Sequence, residues 1–238
     1  MKVSRKDRST ERLRWAITAA LSSPLVDDIQ GFAWEAVFHF AKKLPVRDPL
    51  TQGKKKWLFD AVDPRTGFGW SLKAKQCGSK ATMQCGMKID LVIQRSDIYS
   101  KAVQLGYEGG LTRTSSPQVL GNAIVALWNS KVEQDMKTQS VKLPKLAVLL
   151  KSRDRRHYGY FEIELPKLHA GSLTWSWVGK GLQGTENADV RLRWHQSGTQ
   201  LFQILAVPKE CQFFSVEPRR IPMDVFVGFI KQLAYPSS

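Results

Sequence analysis

Residues 56–76 read KWLFDAVDPRTGFGWSLKAKQ and contain two short apolar runs on either side of a turn signal. The runs Lys56–Val62 and Phe68–Gln76 are rich in aromatic residues and partly alternate between apolar and polar, as half-buried strands do. The intervening Asp63-Pro64-Arg65-Thr66-Gly67 has the proline and glycine of a tight turn. We therefore predict an antiparallel hairpin.

The pairing of this hairpin decides which side chains share a face. A loop of residues 63–66 would pair Val62 with Gly67. Because side chains alternate along a strand, that pairing predicts Asp60, Ser71, Lys73 and Lys75 on one face.

Elements around the hairpin predict the fold class. Apolar spacing over Val26–Leu44 predicts a preceding helix. Met87–Arg95 is a predicted third strand, and Pro117–Lys137 a long helix with proline in its first turn. Lys145–Lys151 is then a buried strand, with Tyr158–Leu165 as its hairpin partner. The order helix-strand-strand-strand-helix-strand predicts an α/β fold with a mixed central sheet flanked by helices.

The chain beyond residue 165 is richer in strands than the chain before it. We expect a core over residues 1–165, which includes N-terminal helices, and a strand-rich extension over residues 166–238 that serves recognition or extends the sheet. The predicted elements of the extension are the strands Leu173–Val178, Val190–His195, Gln200–Val207 and Phe213–Val216, and a final helix at Met223–Tyr235.

Composition narrows the classes of function. The 238 residues include 36 Lys and Arg against 21 Asp and Glu, a formal net charge of +15, which predicts a nucleic-acid partner. The hydrophobic fraction of 42% excludes an intrinsically disordered chain. No apolar run is long enough for a membrane span and the N-terminus lacks a signal-peptide core, so we expect a cytoplasmic protein without membrane contact. Three cysteines without CxxC spacing favour neither a disulfide framework nor a zinc site.

A short motif in the hairpin suggests a catalytic centre. Asp60 lies on the first predicted strand, Ser71-Leu72-Lys73 on the second, and Glu35 on the preceding helix. With the element order over residues 27–151, this pattern resembles the common core of the PD-(D/E)XK nuclease superfamily, which contains many type II restriction endonucleases.

The sequence departs from that family at two positions. Phe59 stands where the family has proline, and Ser71 stands where an acid is usual. Some restriction enzymes of the superfamily carry Ser-x-Lys and take the missing carboxylate from a nearby helix. The resemblance therefore implies Glu35, Glu108 or Glu133 as the second acid.

The resemblance also implies a mechanism and a substrate. Asp60 would bind Mg²⁺ directly, Glu35 directly or through water, and Lys73 would meet the attacking water or the scissile phosphate. The implied activity is hydrolysis of double-stranded DNA at a specific site. A homodimer is expected because palindromic sites have twofold symmetry.

Other basic and amide side chains are candidates for contact with nucleic acid. In the extension, such residues could read base edges beside Trp175 and Trp177, although these tryptophans could instead form a packed sheet face. Short basic runs are also often only solvated loops. The candidates are Lys55, Lys75, Arg155, Arg156, Lys180, Gln183, Arg191 and Arg193.

Two other classes of function remain open. One is a non-catalytic nucleic-acid-binding protein; the other is a metal-independent enzyme, either an RNA-processing nuclease or one that removes DNA bases. The four histidines have neither HxH nor HExxH spacing, so the sequence predicts no histidine metal site. Glu162 and Glu164 alternate along a predicted strand and are expected at a solvent-facing edge.

Overall fold

The computed structural model describes residues 5–45, 57–95, 97–165, 167–195 and 199–234. Within these ranges the chain is an α/β protein, as predicted, with helices flanking two five-stranded sheets. The helices are α1 (Arg5–Ser22), α2 (Phe32–Lys42), α3 (Pro117–Thr138) and α4 (Met223–Ala234). The strands are β1 (Ala61–Asp63), β2 (Phe68–Gln76), β3 (Lys88–Arg95), β4 (Leu143–Lys151), β5 (His157–Glu164), β6 (Thr174–Val178), β7 (Gly181–Glu186), β8 (Asp189–His195), β9 (Gln200–Ala206) and β10 (Gln212–Ser215).

The first sheet has the strand order β1-β2-β4-β5-β10. β1 pairs antiparallel with β2, as the hairpin prediction requires, and β10 pairs antiparallel with β5. The carboxyl ends of β2 and β4 lie side by side, and just beyond β2 the Cys77 N–H donates to the carbonyl of Lys151, the last residue of β4, at 2.7 Å.

Helices α1 and α2 supply apolar side chains to the core of this sheet. α2 follows Gly31, whose φ of +50° favours glycine, and is capped at its C-terminus by Lys43 in the left-handed region, two residues before Pro45. Its apolar residues recur at helical spacing, so one stripe is buried. The core contains Leu13, Ile17, Trp34, Phe38, Ala61, Trp70, Leu72, Ala147, Leu149, Tyr158 and Tyr160.

The second sheet has the order β3-β9-β8-β7-β6, with antiparallel neighbours throughout. α3 packs on β6 and β7. The helix begins at Ser116, whose Oγ accepts from the Val119 N–H at 3.3 Å, and has Pro117 in its first turn. Trp175 packs directly against the Gly121 backbone, where a Cβ atom would lie 2.2 Å from the indole.

The chain divides into two compact units, each assembled from separated segments. The first combines described residues of Met1–Met83, Lys145–Ile163 and Glu210–Ser238, and the second combines those of Gln84–Pro144 and Glu164–Lys209. The predicted third strand, β3, belongs to the second sheet rather than to one central sheet with β1 and β2. Its pairing with β9 is the reason, since a strand pattern alone does not identify the partner strand.

Several element bounds also differ from the prediction. β1 is only three residues long, so Asp60 lies at a bend just before it. α2 starts at Phe32 instead of Val26. The strand β7, with two glycines and a glutamine, carries little strand signal and was not predicted. None of the helices in the described part of the chain combines the length and apolar character needed to cross a bilayer.

Candidate active site

The register of the β1–β2 hairpin places the motif residues. Val62 pairs with Gly69, two residues beyond the predicted partner Gly67. A shift of two residues preserves the face of every side chain, so the face assignment is unaffected. Trp70 and Leu72 point into the apolar core, and alternation therefore directs Ser71 and Lys73 to the opposite face.

Asp60 is held in place by both its backbone and its carboxylate. Its N–H donates to the Trp70 carbonyl at 2.9 Å, and its Oδ2 accepts from the Leu72 N–H at 2.7 Å. Its carbonyl oxygen lies 3.3 Å from Nε2 of His39 on α2, whose Nδ1 lies 2.9 Å from the Pro45 carbonyl. Strand β2 and helix α2 thus fix the position of one carboxylate.

Three predicted catalytic residues are coupled electrostatically. Burial raises the pKa of Asp60 to about 6, although the Leu72 N–H and the Lys73 charge act against the rise, and the Glu35 charge adds to it. Burial lowers the pKa of Lys73, and the Asp60 charge opposes that change. The structure therefore brings two carboxylates and one ammonium within electrostatic reach in a half-buried setting.

Ser71 occupies the position where the related motif has an acid. The side chain is 1% exposed, and its Oγ has no hydrogen-bond partner among the described residues. A buried hydroxyl without a partner is costly, so an added ligand or water would stabilise it. Ser71 adds a neutral oxygen beside Asp60 and Lys73, and no further carboxylate.

The oxygen donors of this site suit Mg²⁺ better than they suit a metal ion whose ligands all come from protein side chains. Mg²⁺ is usually held by one or two carboxylates together with waters and substrate phosphates. Across the described ranges, no three His, Cys, Asp or Glu side chains converge to hold a metal ion. Asp60 and Glu35 could therefore hold Mg²⁺, with water and phosphate completing the coordination.

The two other proposed acids belong to the second unit. Glu108 and Glu133 both lie in Gln84–Pro144, and Glu133 forms an ion pair with Lys167 at 3.0 Å. Glu35 is the acid whose charge raises the pKa of Asp60. Glu35 is therefore the second acid that the electrostatics favour.

The predicted nucleic-acid contacts of the first unit have mixed environments. Lys75 is half-buried, on the same strand face as Ser71 and Lys73 by alternation. Arg155 and Arg156 are exposed in the β4–β5 turn, and the Arg155 guanidinium donates to the Asp27 carbonyl. Lys55 lies outside the described residues.

In the second unit, the predicted contacts lie on and beside β7 and β8. Gln183 and Arg193 are directly opposite each other across these strands. Arg191 forms an ion pair with Glu186 at 3.3 Å, and Lys180 is exposed in the turn before β7. Trp175 is buried, as the packing alternative for this strand predicts, but Trp177, to which the same alternative applied, is exposed.

A cluster of polar contacts around Glu162 was not predicted from the sequence, since this residue was expected at a solvent-facing edge. Its carboxylate instead accepts from the Trp70 indole N–H at 2.7 Å, from the Tyr160 hydroxyl at 2.5 Å and from the Lys42 ammonium. Burial raises its pKa, but the Lys42 charge and these hydrogen bonds outweigh that effect and lower it. Alternation gave a usable signal, because Glu162 shares a strand face with the buried Tyr158 and Tyr160.

The Glu162 cluster lies in the wall of a cavity of about 880 Å³ in the first unit. Lys145 also contributes to this wall, with its ammonium 3.7 Å from Glu162 Oε2 and 4.4 Å from the centre of the Phe68 ring. Trp70 and Phe68 lie on the strand face opposite Ser71 and Lys73. The cavity is therefore separate from the coupled carboxylates.

The coupled residues provide the protein groups needed to bind a hard cation next to an anionic group. Asp60 and Glu35 provide oxygen ligands for a hard cation, and Lys73 provides a desolvated ammonium for an anionic group. Comparison with models of protein families, with curated proteins and with solved structures found no match for this chain.

Proposed function

We propose that this protein is a Mg²⁺-dependent endonuclease that hydrolyses double-stranded DNA at a specific site, as type II restriction endonucleases do. The observation that supports this proposal is the electrostatic coupling of Asp60 with Glu35 and Lys73. The formal charge of +15 supports a polyphosphate substrate. The choice of DNA and of a homodimer comes from the resemblance in the hairpin motif.

Each coupled residue has a role that its environment supports. Mg²⁺, when bound, makes an attacking water more acidic and offsets charge on the leaving oxygen. Asp60 and Glu35 hold the cation, which compensates two carboxylates that repel each other when both are ionised. Lys73 donates to a phosphate oxygen or orients the water, and its partial desolvation strengthens that interaction.

A plasmid assay tests the activity. Supercoiled DNA is incubated with the 238-residue chain and Mg²⁺, and nicked and linear products are measured for the wild type, Asp60→Asn, Lys73→Ala and Glu35→Gln. We expect about a 100-fold loss for the first two variants. For Glu35→Gln we expect a loss of about 10- to 100-fold, since Glu35 binds directly or through water.

The matched control is Lys142→Ala, which removes an exposed lysine outside the candidate site and should leave cleavage unchanged. DNA binding without cleavage by the wild type in Mg²⁺ would contradict the proposal and indicate a binding protein. Cleavage that persists in EDTA would indicate a metal-independent enzyme. Digestion of a defined genome, followed by sequencing of the ends, tests specificity, because scattered ends would exclude a restriction-like activity.

A further inference from the structure

The face of the second sheet turned away from α3 presents a row of polar and aromatic side chains. Adjacent strands place Ser176 opposite Gln183, Gln183 opposite Arg193, and Arg193 opposite Phe202. The next residue of β8 on the same face, His195, lies edge-on to the Phe202 ring, with 5.1 Å between the ring centres. We call these five residues the outer face.

The outer face is accessible to solvent. Leu182, Trp194 and Leu201, which pair across the same strands one residue away, are buried, so alternation directs the row to the opposite side. Ser176, Arg193 and His195 are exposed, while Gln183 and Phe202 are half-buried. A ligand could therefore reach the outer face directly.

The charges on this side of the sheet favour an anion. Arg191 is paired with Glu186 and Lys88 with Asp189. Arg193 and Arg95, by contrast, form no ion pair with any described residue.

Arg95 lies beside the outer face, since it pairs with Gln200, which in turn pairs with His195. Asp90 is on the same side of the sheet, on the edge strand β3. Two exposed guanidinium groups are thus available to phosphates.

The width of the sheet decides which form of nucleic acid can use the outer face. β8 is the middle of five strands, and strands lie about 4.8 Å apart, so the sheet is roughly 19 Å wide. The major groove of DNA is about 12 Å wide and admits a helix or a two-stranded ribbon. A sheet of this width does not fit into the major groove of an undistorted duplex, whereas unpaired bases can lie against Arg193 and Gln183 on its middle strands.

The chemistry of the outer face matches unpaired bases. Aromatic rings of Phe and His stack on exposed bases in proteins that bind single strands. Arg and Gln donate and accept hydrogen bonds at base edges, and Arg also binds phosphate. Phe202 and His195 provide the rings, and Arg193 and Gln183 provide the polar contacts.

We propose that the outer face binds an unpaired strand of nucleic acid, with phosphates at Arg193 and Arg95, a base on Phe202 and His195, and a base edge at Gln183. The inference rests on the nucleic-acid substrate of the proposed function, and it is independent of cleavage. It assigns to the second unit the recognition of an unpaired strand, in place of readout through the major groove of a duplex.

Binding is measured with the 238-residue chain in EDTA, so that no cleavage occurs. Fluorescein-labelled probes of about 20 nucleotides, one an unstructured single-stranded DNA and one a duplex of equal length, are titrated by anisotropy. We expect Phe202→Leu and Arg193→Gln each to weaken single-strand binding by about tenfold while duplex affinity changes less than about twofold. Lys167→Gln, which removes an exposed charge elsewhere in the second unit, is the matched control and should bind both probes as the wild type does.

The inference is overturned if both variants bind the single strand as tightly as the wild type, or if they lose duplex and single-strand binding equally. Circular dichroism checks that Phe202→Leu is folded. If Phe202→Leu is not folded, its binding assay is replaced by photocrosslinking of a single strand that contains 4-thiothymidine to the wild type. Crosslinks confined to peptides outside β7, β8 and β9 would overturn the inference. Asp60→Asn should keep single-strand binding, so a failure of the nuclease proposal remains distinguishable.

Discussion

At the scale of single residues, Asp60 carries an energetic cost that a cation would remove. Its carboxylate is half-buried, near a second carboxylate, and its pKa is raised to about 6 because burial disfavours the ionised form. Lys73 compensates only in part, since its own charge is also disfavoured by burial. Without a cation, the ionised state of Asp60 therefore opposes folding at neutral pH.

This cost predicts a pH dependence of stability. The folded chain binds the Asp60 proton more tightly than the unfolded chain, so this contribution to stability is complete below about pH 4 and is lost as the pH rises through about 6. In Asp60→Asn the contribution is absent. We expect the free energy of unfolding of the wild type minus that of Asp60→Asn, measured in urea without divalent cations, to fall by up to about 3 kcal/mol across this range.

Asp63→Asn is the control for this experiment, because it makes the same change three residues along the chain. Burial raises the pKa of Asp63, but hydrogen bonds from Arg65 and Thr66 outweigh burial and lower it. Its contribution to stability is present above its ordinary pKa and is lost only as the pH falls below about 4. A flat difference for Asp63→Asn and a falling one for Asp60→Asn is the expected result; parallel pH profiles for the wild type and Asp60→Asn would contradict it.

At the scale of elements, local sequence signals predicted the hairpin correctly, whereas strand pairings between distant segments were not predicted. Asp63-Pro64-Arg65-Thr66-Gly67 identified the β1–β2 hairpin, and the face of Asp60, Ser71 and Lys73 survived a register error of two residues. The error arose because the Gly67 N–H donates to the Asp63 carbonyl, which places Gly67 inside the turn. The place of Glu35 on the helix that precedes the hairpin was predicted as well.

The features that were not predicted depend on strand partners that are distant in the chain. β3 pairs with β9, more than a hundred residues later, and the alternating pattern of β3 does not identify β9 as its partner. β7, with Gly181 and Gly184, is a strand because β6 and β8 pair with its two edges. The outer face joins Ser176 to Phe202 across four strands, so no local motif could reveal it.

The packing of α3 on the second sheet gives a prediction for one element. A Cβ atom at Gly121 would lie 2.2 Å from the indole of Trp175, which is 5% exposed, so Gly121→Ala forces the ring or the helix to move. We expect Gly121→Ala to destabilise the protein by about 2 kcal/mol or more, measured by urea unfolding, because overpacked cores rarely relax fully. Hydrogen exchange of α3 amides should increase in the same variant.

Gly228→Ala in α4 provides the control, since it has the same chemistry in a helix with open space. Apart from the adjacent residues and the local backbone of α4, no heavy atom of the described residues lies within 4 Å of the added Cβ atom at Gly228. Alanine favours the helix over glycine by up to about 1 kcal/mol, so this variant should be neutral or slightly more stable. Equal effects of the two substitutions would show that the contact between Trp175 and Gly121 does not limit packing.

At the scale of the whole molecule, the two candidate surfaces have different origins in the chain. Asp60, Lys73 and Glu35 come from one segment of the first unit, within residues 35–73. The outer face is built within the second unit from β6, β7, β8 and β9. Local spacing in the sequence can therefore indicate the first candidate site, whereas the second candidate surface exists only in the folded sheet.

The excess of basic side chains predicts how nucleic-acid binding responds to salt. A chain with a formal charge of +15 that neutralises phosphates releases condensed counterions, so the logarithm of the binding constant should fall linearly with the logarithm of salt concentration. For six to ten phosphate contacts, duplex affinity should fall about 10³- to 10⁵-fold between about 50 mM and about 200 mM salt. Lys75→Ala, which removes one ammonium beside Lys73, should reduce the slope by about one phosphate contact, while Lys142→Ala should leave it unchanged. A slope near zero in the wild type would mean that the positive charge does not contact phosphates, and it would count against both nucleic-acid proposals.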